Sequence, residues 1–362
     1  MRLPIPRITF FAAVAASALV AVAQLSAAPP GGTFAVTPLV SDVPGAAAAT
    51  DPNLVNGWGL ARSATSPWWV ADNGTDLSTL YNFNATTGAI TVNPLVVGVD
   101  GGPTGAVFAG VADNFLVGTT VSPTTLAPAN FVFSSEDGMI RAWRGGSTAA
   151  LVTAHGQPGA IYKGLAIAQP TPGHPLLYAA DFHNARVDVF DGAWQDVTPA
   201  GAFVDPMLPA GYAPFGIQTI GSRVFVSYAK QDADAEDEQA GQGRGSVDAF
   251  DLAGNLLERV AQHGQLNAPW GLALAPASFG RFAGDLLVGN FGDGQINAYE
   301  ETGSGFQHRG TLRDASGQKL VIDGLWALEF GNAGSNGTPD QLFFTAGPDE
   351  ESHGLFGMIL PS

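Results

Sequence analysis

The chain has 362 residues, of which 46% are hydrophobic and only 13% charged, a balance that excludes a disordered polymer. Its formal net charge of −17 comes from 32 acidic against 15 basic residues, which excludes nucleic acid as a partner, because such partners are held through Lys and Arg. There is no cysteine, so disulfides and thiolate chemistry are excluded too.

The first predicted element is a secretory signal. Residues 8–23 are almost wholly apolar, follow Arg2 and Arg7, and end in the small-residue site Ala21-Val22-Ala23. A basic n-region, a short apolar core and an A-x-A cut before Gln24 predict removal of residues 1–23 and export to the periplasm or the medium. The apolar run is shorter than the ~20 residues a membrane helix needs, so no membrane span is expected after cleavage. Without Arg2 and Arg7, 13 basic residues face 32 acidic ones, a net charge near −19.

Residues 24–362 then read as one domain. Residues 33–40 (TFAVTPLV) form a strand-like stretch ahead of the first repeat. From residue 56 onward a small-residue turn leads six times into two short apolar strands and, in most copies, a third ending in an aromatic and an acid. The clearest copies are residues 56–73, 162–191, 213–251 and 268–300; weaker ones cover 103–143 and 323–359. Gly59, Gly105, Gly164, Gly216 and Gly271 anchor five copies, and Asp323-Gly324 opens the sixth. A period near fifty with period-two strands and no helical pattern predicts an all-β fold, a six-bladed β-propeller of four-stranded antiparallel blades. The repeats span about 53–100, 101–150, 151–205, 206–262, 263–315 and 316–360. The early strand is expected to close the last blade and hide its edge.

Alternating strand direction puts the loop before each innermost strand and the loop between the second and third strands at one end of every blade. Polar residues gather there, so this mouth is the expected binding face. Its candidates are Asn56, Trp58, Lys163, Asn290, Asp293 and Trp270, the tryptophans lying beside the anchoring glycines. The loop after Lys230 holds five carboxylates in seven residues: Asp232, Asp234, Glu236, Asp237 and Glu238. Like charges that close call for a counter-ion, and hard oxygen ligands suit Ca²⁺. Asp181 and His183 in the third copy and Glu351 and His353 in the sixth form a second candidate set. Asp181, His183, Glu351, His353, Asp232 and Asp234 are therefore the metal candidates, for one divalent cation with calcium favoured. No nucleophile elbow, HExxH or P-loop occurs, and Lys is found only at 163, 230 and 319. No catalytic residue is assigned.

The segments ADFHNARVDVFD, GQGRGSVDAFD, APWGLALAP, FAGDLLVGNFGDGQINAYE and LFFTAGPDEESHGLFG resemble an uncharacterised bacterial family of exported propellers with NHL-like repeats. The resemblance spans nearly the whole chain after residue 23. It implies a six-bladed propeller, similar in outline to SMP-30/gluconolactonase-like propellers, and supplies no reaction. Two functions follow as expectations. The first is an exported propeller that binds a small ligand or an extracellular protein at an acidic mouth able to hold a divalent cation. The other is a metal-dependent hydrolase of the lactonase or esterase type, so enzymatic activity stays open.

Overall fold

The structure, a computed structural model, describes residues 32–332 and 336–362; the expected signal segment lies outside them. Six antiparallel sheets stand around one axis. Blade one contains Gly57–Ala61, Trp68–Asp72, Leu77–Phe83 and Ile90–Val92. Blade two contains Pro103–Phe108, Phe131–Ser135, Met139–Trp143 and Leu151–His155. Tyr162–Thr171, His174–Asp181 and Arg186–Asp191 build blade three. Blade four is Tyr212–Ile220, Arg223–Lys230, Ser246–Asp251 and Leu256–Gln262. Blade five is Pro269–Leu274, Leu286–Asn290, Ile296–Thr302 and Gly305–Thr311. Leu325–Phe330, Leu342–Ala346 and Leu355–Pro361 make blade six, completed by Phe34–Ser41.

That closure is the expected one. Phe34–Ser41 runs antiparallel to Leu355–Pro361, from Phe34 opposite Pro361 to Ser41 opposite Leu355, with a bulge between Pro38 and Val40. Phe34 is buried against Phe279 and Phe282 of blade five, at centroid distances of 5.0 and 5.8 Å. The N-terminal strand therefore fastens both the last sheet and the interface beside it.

Blade three departs from the four-stranded expectation. Beyond Arg186–Asp191 only an isolated bridge, Phe190 to Asp196, continues its sheet. The following stretch contains Pro199, Pro206 and Pro209, and proline supplies no ladder N–H. Phe203 instead tucks against Tyr178 and Phe250, filling the space between blades three and four.

Period two explains the packing between blades. Adjacent Trp68 and Trp69 point to opposite faces of their strand. Trp68 packs on Phe343 and Phe356 of blade six, whereas Trp69 stacks on Phe131 of blade two at 4.1 Å. One dipeptide thus serves two interfaces. Truncating either ring would cost about 3–5 kcal/mol, as large-to-small core changes do.

Around the axis the innermost strands approach one another through their glycines. A Cβ on Gly59 would stand 2.5 Å from the Thr104 carbonyl oxygen, and one on Gly216 only 2.0 Å from that of Trp270. Glycine is needed there because the neighbouring backbone occupies the side-chain position. In blade six the equivalent residue is Ala327, so the Asp323-Gly324 anchor is displaced by three residues. The register shows it: Ala327 N–H donates to Thr345 Oγ1 (3.1 Å), as Gly105 does to Ser134 Oγ (3.0 Å) and Gly216 to Ser227 Oγ (2.9 Å). These hydroxyls sit where each innermost strand bulges against its partner, and they satisfy an N–H the ladder skips.

Candidate functional site

The residue before each anchor faces the axis, and the six are Trp58, Thr104, Lys163, Phe215, Trp270 and Trp326. Four are aromatic and pack into a plug. Trp58 stacks on Trp326 at 3.5 Å, Trp270 meets both edge-on, and Phe215 lies 5.8 Å from Trp326. Phe291 covers the outer side of Trp326 at 4.1 Å. The indole N–H of Trp270 donates to the Lys163 carbonyl (2.9 Å), and that of Trp326 to Asn56 Oδ1 (3.0 Å).

Above the plug sits a polar cluster built from five blades. The Lys163 side chain is 1% exposed, and its ammonium contacts Glu136 Oε1 at 2.5 Å and Asp237 Oδ1 at 2.9 Å. It also lies 5.3 Å from the Trp58 ring centroid, a cation–π contact. Asn73 Nδ2 donates to Glu136 Oε2 (2.9 Å), while Asn56 Nδ2 donates to Asn73 Oδ1 (3.3 Å) and Glu351 Oε2 (2.5 Å). Glu238 completes the set. One cation thus faces Glu136, Asp237, Glu238 and Glu351.

The backbone is bent to present these groups. Asn56 adopts a left-handed φ of 48°, and Asp349, Glu350 and Glu351 follow one another at 58°, 54° and 64°. Three non-glycine residues in a left-handed turn cost on the order of 1–2 kcal/mol each. Surrounding bonds hold the turn: Asp349 N–H to Asp323 Oδ2 (2.9 Å), Glu351 N–H to Gly347 O (3.2 Å) and Asn56 N–H to His353 O (3.0 Å). Strain of this kind collects at functional sites, where it aims a side chain. Here it aims Glu351 at the axis.

Electrostatics sorts the carboxylates. Burial pulls the Lys163 pKa down, but Glu136 and Asp237 more than reverse this, so the ammonium stays charged. Glu238 is pushed up to about 8 by burial, with Glu351 and Asp237 adding to the rise and Lys163 opposing it. Glu351 is raised by burial as well, with Asn56 and Lys163 pulling the other way. Glu136 and Asp237 have their cation. Among the described residues, Glu238 and Glu351 have no ion pair of their own.

Of the mouth candidates, Asn56, Trp58, Lys163 and Trp270 meet at the axis. Asn290 and Asp293 do not: Asn290 bonds Asp293 Oδ1 (3.0 Å) and the Gln265 carbonyl (2.8 Å), and together they shape the blade-five turn. Of the metal candidates, Glu351 alone joins the axial cluster. Asp181 is buried and accepts from the Asn184 amide and the Ile161 N–H. His183 faces the Ala235 carbonyl at 3.2 Å, and His353 pairs with Asp42 at 2.7 Å. Asp232 accepts the Glu236 N–H, and Asp234 is exposed. Among the described residues no three His, Asp or Glu side chains gather in a form that could hold a metal ion.

Asn73 and Glu136 lie in loops that the sequence places at the mouth and Trp326 in an inner strand, but none of the three was chosen as a site candidate from sequence. Aligning the six copies on their anchors would have found Trp326, because the residue before each anchor always faces the axis. Glu136 gave no such signal, being one of two adjacent acids in its loop, with Asp137 beside it.

No protein-family model matches the chain. It is 33% identical over 339 residues to uncharacterized protein R648 of Acanthamoeba polyphaga mimivirus, covering 90% of this chain and 80% of the relative. Uncharacterized protein L690 of the same virus is 31% identical over 349 residues, covering 91% and 86%. The chain belongs to the family of these proteins. Its curated relatives are thus viral, where the sequence suggested a bacterial family. Among solved structures, the apo form of the soluble aldose sugar dehydrogenase of Escherichia coli aligns with a TM-score of 0.53 at 13% identity. That alignment covers 91% of this chain and all of the other, and it supports the propeller fold alone.

Proposed function

We propose that this family member is an exported propeller that binds a cationic group at its acidic mouth. The observation that carries the reading is the excess of carboxylate over ammonium at the axis. Lys163 pairs with Glu136 and Asp237, while Glu238 and Glu351 lie near it and near one another with no ion pair of their own among the described residues. Two half-buried carboxylates with raised pKa must keep protons or take up a positive charge. A divalent metal ion, an organic ammonium or a Lys or Arg side chain of an extracellular protein offers the same chemistry.

Thermal-shift and calorimetric titrations with Ca²⁺, Mg²⁺, Mn²⁺, Zn²⁺, spermidine and an Arg-rich peptide separate these sources. At least one should raise the melting temperature saturably, since a ligand at a hundredfold excess over Kd adds about 2.7 kcal/mol to the native state. Glu351→Gln should remove that response. No shift with any probe, from protein shown to be metal-free, overturns the proposal. A metal response accompanied by cleavage of a simple lactone would instead favour the hydrolase reading, with Glu238 as the protonatable group beside the ion.

Export rests on the basic and apolar segments before Ala23. N-terminal sequencing of protein recovered outside the cytoplasm should begin at or near Gln24, and finding Met1 intact in all of the protein would refute it.

A further inference from the structure

We propose that the outer edge of blade five carries a second binding site, for a dianionic oxyanion of the phosphate or sulfate class. A cavity of about 290 Å³ opens there, lined by Arg281, His308, Thr311, Arg313 and Lys319, with Gln265 at one side. Separate pieces of chain supply the lining. His308 and Thr311 lie on Gly305–Thr311, the outermost strand of the blade. Arg313 and Lys319 are partners in the bridge that closes the following turn. Arg281 belongs to the short turn Gly280–Phe282, between the first and second strands.

Among the described residues no carboxylate lines this cavity, although the chain has 32 acidic residues against 15 basic ones. Seven of the thirteen described Lys and Arg side chains form ion pairs with Asp or Glu. Of the six without such a pair, three line this one cavity: Arg281, Arg313 and Lys319. Each is held instead by a neutral group. Arg281 lies over the Phe282 ring at 5.3 Å, Arg313 donates to the Gly317 carbonyl (2.8 Å) and Lys319 to Gln295 Oε1 (2.8 Å). These contacts orient the cations without neutralising them. Like charges in a concavity add their potentials, and the sum attracts an anion. The ring of His308 lies within that field: burial first, then Lys319, hold its pKa below the usual histidine value.

The donor set identifies the class. A carboxylate brings one charge and one plane of acceptor oxygens, which leaves most of three cations unanswered. A tetrahedral oxyanion brings two charges and oxygens in several directions, suited to a guanidinium from each of two turns and the ammonium beside them. The volume stands at the lower end of small-molecule sites, about 300–1,000 Å³, so there is also room for a small group that carries the oxyanion.

Calorimetric titrations at constant ionic strength with sulfate, inorganic phosphate and glucose 6-phosphate test the site, with acetate as the monoanionic control. At least one dianion should bind saturably, and acetate should not. Tighter binding of glucose 6-phosphate than of inorganic phosphate assigns the site to a phosphate monoester; equal or weaker binding assigns it to the free oxyanion. Arg281→Gln, Arg313→Gln and Lys319→Gln, all at exposed positions, should each weaken binding about tenfold, as loss of a charged hydrogen bond does. Arg144→Gln, which removes a cation outside the cavity, should leave the affinity as it is. The three cavity variants should melt no lower than the wild type in the absence of anion, because each removes like-charge repulsion. Absence of saturable binding by all three dianions, acetate binding as tightly as they do, or wild-type affinity in all three cavity variants would each overturn the proposal.

Discussion

A lysine with 1% of its side chain exposed can remain charged only if its surroundings replace water. At Lys163 they do so with two carboxylates and the face of an indole, in a cluster whose remaining acids have nothing comparable. Removing one partner of such a buried pair typically costs about 3–5 kcal/mol, because a charge is left uncompensated. Glu238 experiences the reverse situation. Its value of about 8 lies well above that of a free glutamate, so through the intervening pH range the folded chain keeps a proton that the unfolded chain releases. Stability from this group is therefore full below the unfolded value and falls as pH rises toward 8. Glu238→Gln should show a shallower decline in melting temperature between pH 5 and 8 than the wild type, and a higher melting temperature above pH 8. A profile parallel to the wild type would show that Glu238 ionises freely despite Lys163, Asp237 and Glu351 around it.

At the scale of the element, the decisive piece is the strand Phe34–Ser41. It pairs along its length with Leu355–Pro361 while Phe34 fills a pocket against Phe279 and Phe282, so it works as both sheet edge and interblade wedge. Deleting residues 32–41 should expose Leu355–Pro361 as an unpaired edge and open the contact between blades five and six. Light scattering should then report aggregation, and the melting temperature should fall. A deletion variant that stays monomeric and melts as the full chain does would show that the closure contributes nothing. Blade three shows that a blade tolerates a missing outer strand when another group fills the gap; there it is Phe203, packed against Tyr178 and Phe250.

At the scale of the whole molecule, the ring makes two different ends from one set of strands. The loops before the innermost strands and after the second strands carry the acids to one mouth. The far ends of the same innermost strands carry Arg62, Gln218, Thr219 and Glu329 to the other. Between them the aromatic plug of Trp58, Phe215, Trp270 and Trp326 separates the two. What the sequence by itself determined was the architecture. A repeat near fifty residues, period-two strands and anchoring glycines are local patterns repeated six times, and local patterns survive without knowledge of neighbours. The same holds for the N-terminal strand and for Asn56, Trp58, Lys163 and Trp270, which lie beside the anchors and so inherit the axis. Only the tertiary structure decided which acids meet. Glu136, Asp237, Glu238 and Glu351 come from blades two, four and six, and their convergence depends on how far each loop leans inward. Asp181, His183, Asp232 and His353 stand in equally polar loops, yet their side chains bond to their own turns or to neighbouring loops rather than to one another. A short polar side chain satisfies its nearest backbone donor first, and sequence alone does not say which donors lie within reach.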